Sequence, residues 1–518
     1  MRRSILALIA LLLALPVPAS AHEEREVTFP SGEGSVPAYR TSGPRLLVCK
    51  GSHTLTRIKK LSGSLRKKNL SLYEKCRRDG YRHIQEAIDA VRTRGTRILV
   101  LPGVYREQPT AGSPSGACAE LNEDMILSYE QHVECPHVQN LITILGDGPD
   151  PGIACDRRLC DLQVEGTARQ GDVVVDNRFR KLNAIRADRA DGVYFRNFTV
   201  QNSEFNSLYV IETDGFAIDR VTARWNDEYG FLTFASDHGL YTRCEAYGNG
   251  DGGLYPGSAA DHHGARPAIE IRHCDSHHNA LGYSGTAGNG IWAHDNTFHH
   301  NSTGASMDSF FPDHPGLPQD SAVFERNRIH SNNEDYYRFW RDGTCDDIEA
   351  ARARYPEGVV CPVVPVPVGT GILLAGGNDN LYARNHIYDN WRFGTMQFGV
   401  PAAFRDDTEI DHQFDTSHGN RYLENVMGVS PGGSTLPNGL DFWWDIQGTG
   451  NCWDGNVPAE GGELTSDPPI LPDCGVSPVA GLPVSPKQAP LVPCAAADAK
   501  RPDEAVGCDW FEAPPPPQ

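Results

Sequence analysis

The fold is decided by a stretch that repeats itself, EIRHCDSHHN (Glu270–Asn279) and then WAHDNTFHHN (Trp292–Asn301). Set one under the other, both carry Cys or Asn five residues before a terminal Asn. The pattern extends outward to YFRNFTVQN (Tyr194–Asn202), YTRCEAYGN (Tyr241–Asn249), FERNRIHSN (Phe324–Asn332) and YARNHIYDN (Tyr382–Asn390). Its marked slot is filled by Asn197, Cys244, Cys274, Asn296, Asn327 and Asn385. Degenerate copies are AIDRVTARWN, ending at Asn226, and YLENVMGVS, starting at Tyr422. Successive slots lie 22 residues apart (Cys274 to Asn296), 31 (Asn296 to Asn327) and 47 (Asn197 to Cys244, two rungs). A core of about 22–24 residues with insertions is a solenoid period. The apolar residues alternate as in strands rather than recurring as in helices. One rung cannot bury its own apolar face, but stacking at about 4.8 Å builds a shared core.

The recurring Asn has two physical uses. It tolerates the left-handed conformation of a tight turn, and its amide can hydrogen-bond along the stack beside the core. Both predict that Asn197, Asn296, Asn327 and Asn385 line one turn. Cys244 and Cys274 share a slot on neighbouring rungs, where they pair or stack as small apolar groups rather than hold a metal. The imidazoles of His277, His278, His299 and His300 read as an exposed row in the body of the repeat.

A further strand follows each Asn: YGFLTF (Tyr229–Phe234), GGLYP (Gly252–Pro256), GASM (Gly304–Met307) and FGTMQF (Phe393–Phe398). Beyond it the rungs differ in length. SAADHHGARP, SFFPDHPGLPQD, the segment Arg341–Thr370 and PAAFRDDTEIDHQFDTSHG are expected to insert at one corner, where solenoids build functional walls.

Upstream, YRHIQEAIDAVRTRGTRILVLPGVYREQ (Tyr81–Gln108) places Ile84, Ala87, Ile88 and Val91 on one helical face. The spacing predicts a helix over 82–92, ended by Gly95, and then a buried strand from Ile98 to Leu101 closed by Pro102-Gly103. This order of helix, strand and turn resembles the entry into right-handed parallel β-helix proteins of the pectate-lyase-like superfamily. The resemblance implies an all-β, single-stranded right-handed parallel β-helix over 81–455, with the helix plugging its N-terminal end.

The chain has 518 residues, 47 Lys+Arg against 67 Asp+Glu, and a formal charge of −20, a balance that argues against nucleic acid as the main partner. Met1–Ala21 reads as a secretory signal: Arg2-Arg3, an apolar run from Ile5 to Leu15, and an Ala19-Ser20-Ala21 cleavage site. No membrane anchor is expected after its removal, and a secreted monomer is the expected state. Residues 22–80 read as an irregular basic lead-in and 456–518 as a Pro- and Cys-rich tail. The lead-in is either a solvated segment or a surface for an anionic partner. Fourteen Cys in an oxidising compartment read as staples, with local spacings 49/76, 118/135, 155/160, 345/361, 452/474 and 494/508.

The corner insertions carry repeated Asp-His steps: Asp237-His238, Asp261-His262 with His263, Asp313-His314 and Asp411-His412. Stacking predicts that the first three gather on one side of the coil, joined by Asp308 and Tyr283. Carboxylates and imidazoles so gathered suit proton abstraction and return, or a divalent ion such as Ca2+. The competing reading makes them ordinary turn residues. No single family's catalytic residues carry over. IWAHDN (Ile291–Asn296) is similar to a pectate lyase signature with its Asp and His reversed, ETDG (Glu212–Gly215) to part of a polygalacturonase motif, and PDHP (Pro312–Pro315) to the Asp-Pro-His motif of mannuronan epimerases with its residue order changed. Two classes stand: a lyase or epimerase acting on an extracellular uronate polysaccharide, and a non-catalytic carbohydrate-binding protein. The second would use Trp225, Tyr229, Tyr255, Trp292 and Trp340 for sugar stacking.

Overall fold

The computed structural model describes residues 25–146, 155–312, 314–475, 481 and 485–517. The signal segment 1–21 and Asp313 lie outside them. The chain divides into two compact units, Glu24–Ser276 and His277–Gln518.

In the unit Glu24–Ser276 the strands pair only in parallel. One ladder runs Arg45–Val48, Arg97–Val100, Gln163–Gly166, Val193–Gln201, Asp214–Arg224, Asp237–Thr242 and Ile269–Arg272. A second runs Asn140–Leu145, Asn183–Asp188, Asn206–Ile211, Tyr229–Phe234 and Gly252–Gly257. In register across the second ladder, Ile142, Ile185, Leu208, Phe231 and Leu254 stack inward and are buried. Each supplies apolar surface that its neighbour needs, which is why the rungs fold together.

The lead-in is not irregular. Its basic residues lie on helices Ser52–Lys60 and Gly63–Asp79, clamped by the Cys49–Cys76 bridge and packed through Ile58, Leu72 and Tyr73 onto Leu101. Its strand Arg45–Val48 already belongs to the ladder. The predicted capping helix is present but shorter, Ile84–Asp89, with Ile84, Ala87 and Ile88 buried. Its open N-terminal N–H groups at Ile84 and Gln85 donate to the buried carboxylate of Glu107.

The unit His277–Gln518 repeats the scheme. Ile291–His294, Val323–Glu325, Leu381–Ala383, Arg421–Leu423 and Cys452–Asp454 form one parallel ladder. Leu281–Thr286, Thr303–Asp308, Thr370–Ala375, Phe393–Phe398 and Phe442–Trp444 form another. Inside, Tyr382, Tyr422 and Trp453 stack with ring centroids 4.8 and 5.1 Å apart. The tail packs Leu491, Cys494, Trp510 and Phe511 against Leu373, Met396 and Phe398 of the second ladder.

The Asn reading is half right. Asn296, Asn327, Asn385, Asn425 and Asn456 form a continuous amide ladder, each Nδ2 donating to the next Oδ1 at 2.9–3.1 Å. A parallel ladder joins Asn279, Asn301, Asn332, Asn390 and Asn438 at 3.0–3.2 Å. The left-handed residues, however, are the ones before: Asp295, Arg326, Arg384 and Glu424, with φ of 54–55°. The Asn is kept for its amide, since it satisfies buried polar groups along the stack.

Asn197 is not in this slot. It takes the left-handed position itself (φ 63°), aligned with Arg220, while Phe198 aligns with Val221. The repeat Tyr194–Asn202 is thus read one residue out of register. Cys244 and Cys274 do share the slot, and they form a disulfide. The six other bridges are the six local pairs expected, and no cysteine is free. Peptide mapping without reduction should recover all seven. A free thiol at Cys345 or Cys361, which close the long insertion, would contradict the fold of that segment. That insertion also departs from expectation. It follows the strand Arg328–His330 and precedes Thr370–Ala375, so it sits at a different corner from residues 309–322 and 399–420.

Candidate active site at the Asp/His corner

Strand register builds the site in the unit Glu24–Ser276. Asp214 and Asp237 open adjacent strands and are direct partners across the ladder, which stacks their carboxylates one rung apart. His238 has φ 46°, so its side chain turns back beside that of Asp237 instead of alternating to the opposite face. Its Nδ1 lies 2.6 Å from Asp214 Oδ1 and 3.9 Å from Asp237 Oδ2. The insertion Ser258–Pro267 then returns two groups to Asp237. His262 Nε2 stands 3.1 Å from Oδ2, and Arg266 donates through both terminal nitrogens at 2.7 and 2.6 Å.

Asp237 is fully buried. Burial alone would raise its pKa, but the Arg266 hydrogen bonds and the His238 backbone N–H outweigh it and hold the carboxyl below its usual range. The Asp237 carboxylate in turn holds the Arg266 guanidinium above its usual range. In the Nδ1–H tautomer His238 donates to Asp214, which fixes the ring and leaves Nε2 as the basic nitrogen. An oriented imidazole beside a part-exposed guanidinium can take a proton from a carbon acidified by a neighbouring carboxylate.

Asp237, His238 and His262 are therefore brought together. Asp261 pairs instead with His263 at 3.1 Å on the outer part of the insertion, where His263 is exposed. Asp308 and His314 belong to the other unit. Asp308 is buried, accepts from Thr286 Oγ1 (2.8 Å) and Ser306 Oγ (3.2 Å), and burial pushes its pKa up to about 6. His314 lies near the Pro312 carbonyl and the Phe311 ring. His412 pairs with Asp407, not with its neighbour Asp411.

Sequence reasoning missed Asp214 and Arg266, because neither carries the Asp-His signature. It also missed how the N-terminal segment is used. Residues 25–40 cross this unit as a strap. Arg25 meets Glu212 and Asp188, Thr28 N donates to Glu212 (2.8 Å), Gly34 N to Asp214 (2.8 Å) and Tyr39 OH to Glu165 (2.9 Å). Val27 and Phe29 pack on the outward cluster of Tyr209, Tyr229, Leu232 and Tyr255. Tyr229 and Tyr255 are thus covered and unavailable as a sugar platform. A Cβ at Gly34 would stand 2.4 Å from Asp214 Oδ1, so a larger residue there would push that carboxylate aside.

Asp214, Asp237 and His238 are close enough together to share a cation. They do not suit calcium, which takes six to eight oxygen ligands. Both oxygens of Asp237 already accept from Arg266, and one of Asp214 faces an imidazole.

A family model described as the right handed beta helix region matches residues 166–309. No curated protein matches the sequence. Among solved structures, the chain is similar to pectate lyase Pel9A, with 13% identity over 83% of this chain and 80% of that one and a TM-score of 0.37. It is similar to the A-module of the Azotobacter vinelandii mannuronan C-5 epimerase AlgE6, at 14%, 73%, 94% and 0.35 in the same order. The periplasmic alginate epimerase AlgG gives 12%, 83%, 98% and 0.35. These likenesses say nothing of activity. With the parallel ladders found in each unit, the match over residues 166–309 makes this chain, in fold, a right-handed parallel β-helix protein.

Proposed function

We propose that this is a secreted protein acting on an acidic extracellular polysaccharide, a polymer of uronate units, by proton abstraction at the Asp/His corner. The observation that carries the reading is the Asp214–His238 pair set beside the Arg266–Asp237 pair. Arg266 would face the uronate carboxylate, whose neutralisation acidifies the adjacent C–H, and His238 Nε2 would take that proton. Return of a proton to the opposite face gives epimerisation, and loss of the neighbouring glycosidic oxygen gives chain cleavage by elimination. Seven disulfides fit an oxidising compartment. Among the described residues no helix is long and apolar enough to cross a membrane.

One observation favours a second, non-catalytic reading. The strap's Gly34 N–H already occupies Asp214, so the corner carboxylates also serve as posts for the N-terminal segment. The purified chain should be screened on uronate polymers for absorbance at 235 nm and for epimerisation by proton NMR. His238→Gln is expected to lower the rate about a hundredfold, the low end for losing a general base, with the fold retained. Polymer binding without turnover would establish the second reading. Equal turnover by wild type and His238→Gln would remove this corner as the site.

A further inference from the structure

We propose that the imidazole pairs His277/His278 and His299/His300 form two stacked sites for a copper(II)-like divalent transition ion. All four residues lie in the unit His277–Gln518, where His277 and His299 end the strands Asp275–His277 and Thr297–His299 of successive rungs and His278 and His300 follow them. Adjacent residues of a strand normally point to opposite faces. Here His278 and His300 are left-handed, with φ of 54° and 53°, and each is turned onto the side of its predecessor. The consequence is that Nδ1 of His277 and Nδ1 of His278 lie 2.7 Å apart, and those of His299 and His300 2.6 Å apart. Each close pair has room for one proton between its two lone pairs, and an ion bound by both nitrogens at about 2.0 Å would displace that proton and sit to one side of the N–N line.

The stack fixes the ring planes. His277 lies on His299 (centroids 5.1 Å, 25° between planes), His299 on His330 (5.2 Å, 10°) and His330 on Tyr388 (4.6 Å, 8°). The outer rings of His278 and His300 stack at 5.4 Å and 6°. Such a preset pair loses little freedom on binding. The ladder stops being paired at the third rung, where Ser331 takes the left-handed position beside His330. The four imidazoles are half-buried to exposed, which leaves room for water to complete the coordination shell.

The bite decides the class of ion. Two nitrogens bound at about 2.0 Å stand about 2.8 Å apart at a right angle and about 3.3 Å apart in a tetrahedron. The observed separations of 2.7 and 2.6 Å match the square, tetragonal geometry of copper(II) better than tetrahedral zinc. Rungs about 4.8 Å apart are too widely spaced for one ion to be shared evenly, so each pair takes its own. All-imidazole donors and the Irving–Williams order favour copper further.

The test is calorimetric titration of the purified, chelator-stripped chain with Cu2+, alongside electron paramagnetic resonance. The variants are His278→Asn and His300→Asn, because Asn accepts the left-handed conformation. Each is expected to lower the bound copper by one ion per chain, and the double variant by two, with loss of the two-nitrogen equatorial signature. Zn2+ should bind more weakly than Cu2+. Should the double variant fail to fold by circular dichroism, His277→Gln with His299→Gln removes the same pairs at the other partner. A wild-type chain that binds no copper, or variants that bind as much as wild type, would overturn the proposal.

Discussion

Replacing Asn385 by Ala is expected to cost about 3 kcal/mol of stability, from the buried Asn327 N–H left without a partner and the loss of the other buried amide bonds. Asn385 Oδ1 accepts the backbone N–H of Asn327 at 2.9 Å, and its Nδ2 donates to the Phe324 carbonyl at 2.9 Å. Both Asn385 and Asn327 are fully buried, so water cannot replace what is removed. The amides above and below also lose a member of their ladder, although Asn327 Nδ2 keeps the Ala293 carbonyl and Asn425 Oδ1 keeps the Asn385 backbone N–H. Urea unfolding should show the midpoint fall sharply. Asn202→Gly is the contrast. Asn202 is left-handed (φ 62°) and only half-buried, so Gly relieves backbone strain while giving up one bond to Asp176. Its effect should stay within about 1 kcal/mol, as for changes away from packed or buried polar groups. Equal effects for the two variants would mean that the ladder carries no stability.

Replacing Asp308 by Asn should stabilise the protein by about 3 kcal/mol at pH 7 and by almost nothing at pH 4, since two units of pKa are worth about that much. Burial raises the Asp308 carboxyl from 3.8 to about 6, more than Thr286, Ser306 and the Phe310 N–H can lower it. The sign follows from proton uptake. The folded state binds the proton more tightly than the unfolded one, so the burdened carboxylate costs nothing below the unfolded value. The cost grows as pH rises from about 4 to 6 and is complete above the folded value. Asparagine keeps the acceptor for Thr286 and can donate to Ser306 without ever carrying charge. Asp445, also raised to about 6 by burial, adds a dependence of the same sign. The measurement is the difference in unfolding free energy between wild type and variant at the two pH values. A difference that does not change between pH 4 and pH 7 would show that folding does not raise the Asp308 pKa.

Much of the fold could be read from spacing. The Asn ladder at Asn296, Asn327 and Asn385 is written in the sequence because one side-chain chemistry must recur wherever a buried amide row passes. The local cysteine pairs are legible for a related reason: short loops leave few partners within reach. The register at Tyr194–Asn202 is not legible. A left-handed residue interrupts the two-residue period, and Asn suits both that position and the ladder, so identity alone places Asn197 one residue early. The basic lead-in shows the same limit, since its helices are held by Leu101, which is remote in sequence, and by the Cys49–Cys76 bridge.

The candidate site divides along the same line. Asp237, His238 and His262 stand out as Asp-His steps at predicted turns. What they face was decided by tertiary structure alone. Asp214 meets Asp237 only because parallel register puts strand openings one rung apart, and Arg266 reaches it only by the return of an irregular insertion. The strap is the clearest case. Nothing in the spacing of residues 25–40 says that they cross the coil, because their partners Glu212, Asp214 and Glu165 are ordered by folding and not by nearness along the chain. A repeating sequence specifies the contacts of each rung with the next, since those recur at every period. Contacts made by a segment that does not repeat have no period to be read from.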